Sequence, residues 1–511
     1  MDYTKHMKST QREKDRPEQV ENNAGGFVFQ TDDWSQLERF LILGSEGGTY
    51  YCSERKLTRD NAQVVQRCLD ADPVKTLRII CEVLDAKRAP RRQPSYFAIA
   101  MALGQPTVSM IAREVALKHC WTATDLMTVV NYCKAFRGWG RALRRLVQDW
   151  YLTKSADQLA YQVAKYRNRE GYTHRDLLRL GHPKPTEELA SVLAYAAGKP
   201  KEGAALPKFL EGFLAAQEEM DPHKIAKLVT DYGLTWEMIP SSVLNEKVVW
   251  EALLPNTPPT ALLRNLGRLA GMGYRLDPSD VTERVSKEHP IKVIVAMLTY
   301  KGGRGRSGAS WSPDPRIVDA LDDAYHLSFG TIESTGKRYL LALDVSGSMG
   351  WSTAMGVPCS SVAAAMAMVT ARTESDYRVM GFANEFRDLG ISAKQRLDDV
   401  VRATSGLTFG STDCAMPMLW AKENGIKVDV FAVYTDDETW AGDTHPHVAL
   451  ELYRQKMGIN AKQVVVGMTA TNFTIADPTD PGTLDVVGMD SSVPGLISDF
   501  AAGRQGASSG S

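Results

Sequence analysis

Apolar residues recur at helical spacing through the first two thirds of this chain, and only after that does the pattern shorten to strands. From about Asn61 to Lys292 the spacing is three and four, as in Val64, Val65, Cys68 and Leu69, then Val74, Leu77, Ile79 and Ile80. Segments of this kind return about every fifteen to twenty residues, between breakers such as Arg88-Ala89-Pro90, Gly104-Gln105-Pro106 and Gly198-Lys199-Pro200. One amphipathic helix pair cannot bury its own apolar face, so the pattern predicts antiparallel pairs stacked side by side, a degenerate helical-repeat array without a strict sequence repeat. An array curves into a concave surface, and a closed one leaves a hole.

After Thr331 strand and helix alternate to the end. Arg338–Leu343, Tyr377–Ala383, Val428–Tyr434 and Gln463–Met468 are short and continuously apolar, as parallel strands buried on both faces are. Ser360–Arg372, with Ala363, Ala364, Ala365 and Ala367, and Val448–Met457 read as helices between them. That is the pattern of a doubly wound α/β sheet. Short helices are also expected at Asp33–Phe40, from Pro258 and over Pro315–Leu327. Residues 1–25 are polar and charged and predict a disordered arm, and 501–511 a flexible tail.

At 511 residues, 43% hydrophobic and 24% charged, the chain has the length and composition of a multidomain soluble protein. No apolar run reaches a membrane span, the charged N-terminus lacks the apolar core of a secretory signal, and seven cysteines without a C-x-x-C pair suit a reducing cytoplasm. The net charge of −1 conceals an asymmetry: between Lys134 and Lys184 lie 12 Lys and Arg against 4 Asp and Glu. A local cationic field of this kind points to a polyanion, or else to a solvated helix face. Arg141, Arg144 and Arg145 fall on one helix face, and Lys165 and Arg169 are expected to share another. Thr173 and Asp176 form a capping box for a helix that ends near His182-Pro183. Lys301–Gly308 is a flexible basic loop without the G-K-S/T ending of a phosphate loop.

The chemistry concentrates in Asp344-Val345-Ser346-Gly347-Ser348-Met349-Gly350, directly after the strand Arg338–Leu343. One carboxylate and two hydroxyls at alternate positions suit a hard divalent cation, and the carboxyl edge of an open α/β sheet is where ligands bind. By itself the motif equally fits a helix N-cap. Thr412, in the turn-rich loop Gly410–Asp413, and Asp436, at the end of the strand Val428–Tyr434, complete the set. A D-x-S-x-S turn, a loop Thr and a strand-terminal Asp resemble the metal-ion-dependent adhesion site of von Willebrand factor A domains, which implies Asp344, Ser346, Ser348, Thr412 and Asp436 as ligands of a divalent cation, Mg2+ first.

The whole chain resembles the Ro ribonucleoprotein autoantigen family, in a short form like bacterial or phage members. The motifs that carry this are Gly44–Tyr51, Gly138–Arg144, His174–Leu180, Thr260–Gly267 and Phe473–Pro478. The resemblance implies a TROVE domain over residues 26–330, a HEAT-like helical ring, closed by a von Willebrand factor A domain over 331–500. It implies a monomer with a central hole for single-stranded 3′ ends of misfolded small RNAs and an outer surface for a noncoding Y RNA. The Y RNA contacts fall on Lys165, Arg169 and His182, in the stretch that the charge count singles out, beside Arg141 and Arg144. It further implies a 3′ exoribonuclease tethered through the Y RNA. Gly347, where a small side chain is usual, and Asp437, where Asn is common, depart from the family pattern; the extra carboxylate could compete with Asp436 or strengthen cation binding. A non-enzymatic RNA scaffold is thus the expected function. A metal-dependent protein-binding module is the alternative, and a two-metal nuclease fits poorly for want of a nearby general base.

Overall fold

The computed structural model describes residues 10–504 except 201, 202, 204, 306, 307, 331 and 406–409. The chain does not enter the fold where the sequence predicts. Residues 10–24 are ordered, against the expectation of a disordered arm: Gln11 and Asn22 are buried, and β1 (Gln19–Glu21) pairs antiparallel with β2 (Phe27–Gln30). The reason is polar. The segment has little apolar surface of its own, but its amides and carboxylates are satisfied by groups four hundred residues away, which composition does not reveal. Residues 1–9 and 505–511 lie outside the described residues, while Ala501 and Ala502 end the last helix, Val493–Ala502, rather than opening a tail.

At both ends of the array helices stack on their second neighbours, while in the middle Lys208–Glu218, Pro222–Tyr232 and Lys247–Leu253 pack in sequence. Gln93–Ala102 packs on Ala123–Arg137, Ser109–His119 on Arg141–Leu152, that helix on His174–Gly181, Pro259–Gly271 on Pro290–Lys301, and Pro278–Val285 on Pro315–Leu327. This is the register of a solenoid of helical pairs. A two-strand hairpin, β3 (Asn168–Arg169) and β4 (Tyr172–Thr173), interrupts it. Lys165 is the last residue of its helix and Arg169 stands in β3, so the two do not share a helix face as the sequence suggested. Gly171, with φ of 76°, lets the chain reverse there.

The C-terminal sheet is built on β5 (Arg338–Asp344), followed by the small hairpin β6 (Thr353–Ala354) and β7 (Val357–Pro358), then β8 (Asp376–Phe382), β9 (Phe386–Asp388), β10 (Val430–Thr435), β11 (Lys462–Gly467), β12 (Phe473–Thr474) and β13 (Thr483–Val487). Strand order is β13-β11-β10-β5-β8-β9, parallel throughout except for the antiparallel edge strand β9. The chain leaves β5 toward β8 and returns on the other side to β10, so the carboxyl end of β5 is the topological switch point. The short β12 joins β2 instead, knitting the N-terminal segment to this domain.

Both ends of the helical array rest on the sheet domain. At its start Arg39, fully buried on the helix Asp33–Leu43, reaches Asp485 at 2.5 Å and the Phe473 carbonyl at 2.9 Å. At its end Asp322 accepts from the Leu397 amide at 2.7 Å and from Arg372 at 3.1 Å, beside ion pairs Arg396–Asp319 and Lys301–Asp398. The two ends also meet: buried His289, N-cap of Pro290–Lys301, donates through Nε2 to the Arg88 carbonyl at 2.9 Å. The array therefore closes upon itself and upon the sheet domain.

Two outcomes follow from these contacts. Replacing Arg39 by Leu strands the Asp485 carboxylate in the interior and should cost about 3–5 kcal/mol in urea unfolding, whereas a surface pair such as Arg316–Asp314 should cost about 1 kcal/mol or less. Burial pushes the His289 imidazole down to about 4 from 6.5. The unfolded chain thus takes up a proton that the folded one refuses, so stability should decline as pH falls from 6.5 to about 4. A denaturation series across that range, wild type against His289→Gln, should show a shallower decline in the variant.

Candidate functional site

The switch point gathers the acidic and hydroxyl groups. Asp344, at the last position of β5, is fully buried; its Oδ1 accepts from the Ser346 amide at 2.9 Å and its Oδ2 from the Thr435 hydroxyl at 2.7 Å. Ser346 stands at the N-cap of the short helix Gly347–Trp351 but makes no side-chain capping bond. Its hydroxyl meets that of Ser348 at 3.1 Å instead. The N-cap alternative for the motif therefore fails at its defining bond. Asp436 follows β10 directly and is fully buried; its Oδ1 accepts from the Glu438 amide at 3.3 Å. Among the described residues, Asp436 Oδ2 and the buried Thr412 hydroxyl are left without any hydrogen-bond partner.

Buried polar atoms seldom go unpaired, and an unpaired carboxylate oxygen and an unpaired hydroxyl are donors of the kind that suits a hard cation. Asp344, Ser346 and Ser348 are joined by hydrogen bonds, Asp436 follows Thr435 on the neighbouring strand, and Thr412 is set on an adjoining loop through its carbonyl, which accepts from the Trp440 and Ala441 amides. Asp437 is set differently, although its Oδ2 also makes no hydrogen bond. Its φ of 63° turns it off the site, so that Oδ1 accepts from the Ile475 amide at 3.1 Å and Oδ2 lies 3.6 Å from Arg39. Glu438 is likewise occupied, accepting from Asn23 at 2.8 Å and from the Ala24 amide at 3.0 Å. Asp344 and Asp436 remain as the buried carboxylates beside the Ser346–Ser348 turn.

Burial, and for Asp344 the neighbouring Asp436, pushes both carboxyls up, Asp344 to about 7. Two buried carboxylates repel one another, so the pair retains a proton to higher pH than free carboxyls do. The turn Gly44–Tyr51 of the helical domain borders the site. Burial and Asp436 raise the Tyr51 hydroxyl, and Tyr51, Tyr50 and Trp351 meet edge to face at 4.9 and 6.2 Å.

A second constellation lies on the helical array. Arg141, Arg144 and Arg145 are exposed on the first turns of Arg141–Leu152. Gln148, in line with them, donates to the Gly181 carbonyl at 2.6 Å, which sets exposed His182, a left-handed C-cap with φ of 50°, beside the stripe. At the other end Trp139 meets Tyr172 of the hairpin at 6.5 Å, bringing exposed Arg169 toward Arg141. Lys165 is set differently. Its side chain is 10% exposed, bonds the Tyr161 hydroxyl at 2.8 Å and lies 3.8 Å from Glu237. Sequence reasoning missed Arg167, Arg175 and Arg179, which are also exposed in this stretch, Arg167 over the Phe213 ring at 5.4 Å. The i, i+4 spacing of Arg175 and Arg179 was the available signal. Among the described residues none of Arg141, Arg144, Arg145, Arg167, Arg169, Arg175 or Arg179 is in an ion pair.

Residues 338–501 match the family model of the Ro60 vWA domain, and residues 20–221 and 227–278 match that of the TROVE domain. The RNA-binding protein RO60 of Deinococcus radiodurans is 40% identical, over 95% of this chain and 96% of its own. The chain belongs to the Ro60 family. The RNA-binding protein RO60 of Caenorhabditis elegans is 33% identical over 97% of this chain and 92% of its own. The crystal structure of the Deinococcus radiodurans RO (RSR) protein, 38% identical, aligns over 92% of this chain and all of that one with a TM-score of 0.68. The helical-repeat array joined to a doubly wound A domain is thus the architecture of Ro60 relatives as well as of this chain. No helix among the described residues is long and apolar enough to cross a membrane.

If a divalent cation displaces the shared proton, its stabilising effect must depend on pH. With folded carboxyls raised above their unfolded values, the empty site loses stability as pH rises from about 4 to 7, and a cation relieves that loss. Added Mg2+ should accordingly raise Tm more at pH 8 than at pH 5.5, with the difference absent in Asp344→Asn; calorimetry in matched buffers reads this directly.

Proposed function

We propose that this protein is a non-enzymatic RNA scaffold. It holds a small Y RNA on the basic face of Arg141–His182 and admits single-stranded 3′ ends of misfolded RNAs to the centre of the closed array. It works as a cytoplasmic monomer beside a 3′ exoribonuclease bound through the Y RNA. The observation that carries the reading is the set of exposed arginines on one face that pair with no carboxylate. Some arginines elsewhere are neutralised, as in Arg67–Asp33, Arg316–Asp314 and Arg338–Asp429. Others, such as Arg264, Arg378 and Arg387, are exposed without an ion pair among the described residues. What sets this stretch apart is the density of its cations, 12 Lys and Arg against 4 Asp and Glu between Lys134 and Lys184. Guanidiniums kept free of carboxylates are available for bidentate contact with phosphates. The Ro60 relatives, named RNA-binding proteins, support the same reading.

At the sheet edge, Asp344, Ser346, Ser348, Thr412 and Asp436 would hold one divalent cation, Mg2+ by its preference for hard oxygen ligands. The cation would supply a Lewis-acidic position open to an anionic oxygen. With Asp437 committed to Arg39, the arrangement has ligands for one cation and lacks the paired sites of phosphodiester cleavage, in keeping with a binding role. The alternative, a protein-binding adhesion module with RNA secondary, draws support from the two orphaned oxygens, since a partner's carboxylate could complete the shell.

Binding of a structured RNA should fall steeply with salt, and Arg141→Ala/Arg144→Ala should reduce the slope of log K against log salt by about 1.5–2. Arg169→Ala should weaken Y-like RNA binding more than Lys165→Ala, because the Lys165 ammonium is already held by Tyr161 and Glu237. Filter binding at several salt concentrations, with a 3′-tailed RNA and its blunt-ended form, tests both surfaces. Equal weak binding of every combination would leave the basic face as a solvated surface.

A further inference from the structure

The segment Thr10–Gly26, which the composition marks as an unstructured arm, lies across the two loops that bring Thr412 and Asp436 together. Its contacts there are buried and specific. Gln11 is fully buried; its amide nitrogen donates to Asp413 Oδ1 at 2.7 Å and to the Thr444 carbonyl at 2.8 Å, and its amide oxygen accepts from the Thr439 hydroxyl at 2.6 Å. Thr439 in turn accepts from the Cys414 amide at 3.0 Å. One side chain thus ties the loop carrying Thr412 to the loop that follows Asp436. The Thr412 carbonyl is held from the same side by the Trp440 and Ala441 amides at 3.0 and 3.1 Å.

The fit leaves no slack. A Cβ at Gly442 would stand 2.3 Å from the Gln11 amide nitrogen and 2.4 Å from Asp413, and a Cβ at Gly26 would stand 1.9 Å from the Thr439 carbonyl. Further along, Asn22 donates to the Asp437 and Thr439 carbonyls at 3.2 and 2.9 Å. Asn23 and the Ala24 amide occupy both oxygens of Glu438. Apart from the Thr439 hydroxyl bond to Gln11, the bonds from the segment to the 436–444 loop hold backbone carbonyls or occupy the Glu438 carboxylate.

We propose that Gln11, with Asn22 and Asn23 behind it, is a positioning residue of the cation site: the N-terminal segment sets the separation of Thr412 and Asp436 and so sets how tightly a divalent cation is held. This rests on reading the site as a cation site. Groups that orient ligands typically change metal affinity by about 10–100-fold when removed. The consequence is that the affinity of the sheet-edge site depends on a segment more than three hundred residues earlier in the chain, and anything that lifts that segment would loosen the cation without touching a ligand.

The test uses the full-length chain and Mn2+ alone, titrated by electron paramagnetic resonance, with Tm in EDTA measured in parallel. Gln11→Ala should weaken Mn2+ by about ten-fold or more, and Asn22→Ala, a milder lesion should the first variant fold poorly, by less. Arg16→Ala removes the segment's ion pair with Asp477, away from the ligand loops, and should shift Tm while leaving Mn2+ affinity unchanged. If Gln11→Ala and Asn22→Ala lower Tm but bind Mn2+ as wild type does, the segment is structural only and the proposal is overturned. Wild type that takes up no Mn2+ would overturn the cation reading itself, an outcome distinct from altered affinity in the variants.

Discussion

The rest of this structure depends on the burial of one guanidinium. Arg39 belongs to the first helix of the array, yet its side chain ends inside the sheet domain, between Asp485, Asp437 and the carbonyls of Thr471 and Phe473. Gly467 at the end of β11 leaves room for it: a Cβ there would stand 2.9 Å from the guanidinium. A buried charge held by several acceptors at both terminal nitrogens fixes the relative position of the groups around it, because a shift leaves one of them dry and unpaired. The two domains are therefore registered to one another at the level of single atoms, and the registration point is the sheet edge that carries the candidate cation site.

That same guanidinium explains how four consecutive acidic and hydroxyl positions, Thr435 to Glu438, can be adjacent in sequence and unlike in role. Thr435 serves Asp344, Asp436 stands beside the Ser346–Ser348 turn, Asp437 serves the domain junction, and Glu438 serves the N-terminal segment. The left-handed backbone at Asp437 is what separates these directions, and Asp is among the few side chains that adopt it at modest cost. The Asp found where Asn is common is thus matched to a cationic partner on the other domain.

How much of this was legible in the sequence follows from the range of each interaction. The D-x-S-x-S turn, the Thr173 capping box and the strands around β5 depend on neighbours within a few residues, and they stand where their patterns place them. β13 was missed, since Thr483 and Asp485 break its apolar run, and Asp485 looks like a surface residue until Arg39 is seen beside it. The N-terminal segment was misread for the same cause: Gln11, Asn22 and Asn23 carry no apolar signal, and their partners lie in the last quarter of the chain. Lys165 and Arg169 have helical spacing, but Tyr166 ends the helix between them and Gly171 turns the chain back. The basic face was legible as a charge count, and its full membership only as a surface.

The meeting of Arg88 and His289 gives the helical array a fixed circumference. An open solenoid can gain or lose a helical pair at either end and remain the same kind of object, because each pair needs only its neighbours. Here the first helices and the last are anchored to opposite parts of one sheet domain and to each other, so the number of pairs between them is set by geometry. A length change inside a surface loop leaves the circumference alone, whereas adding or deleting one helix pair would carry Asp322 or Arg39 off its partners. Closure thus converts a repeat protein, ordinarily the most length-tolerant of architectures, into one whose length is an integer that cannot drift.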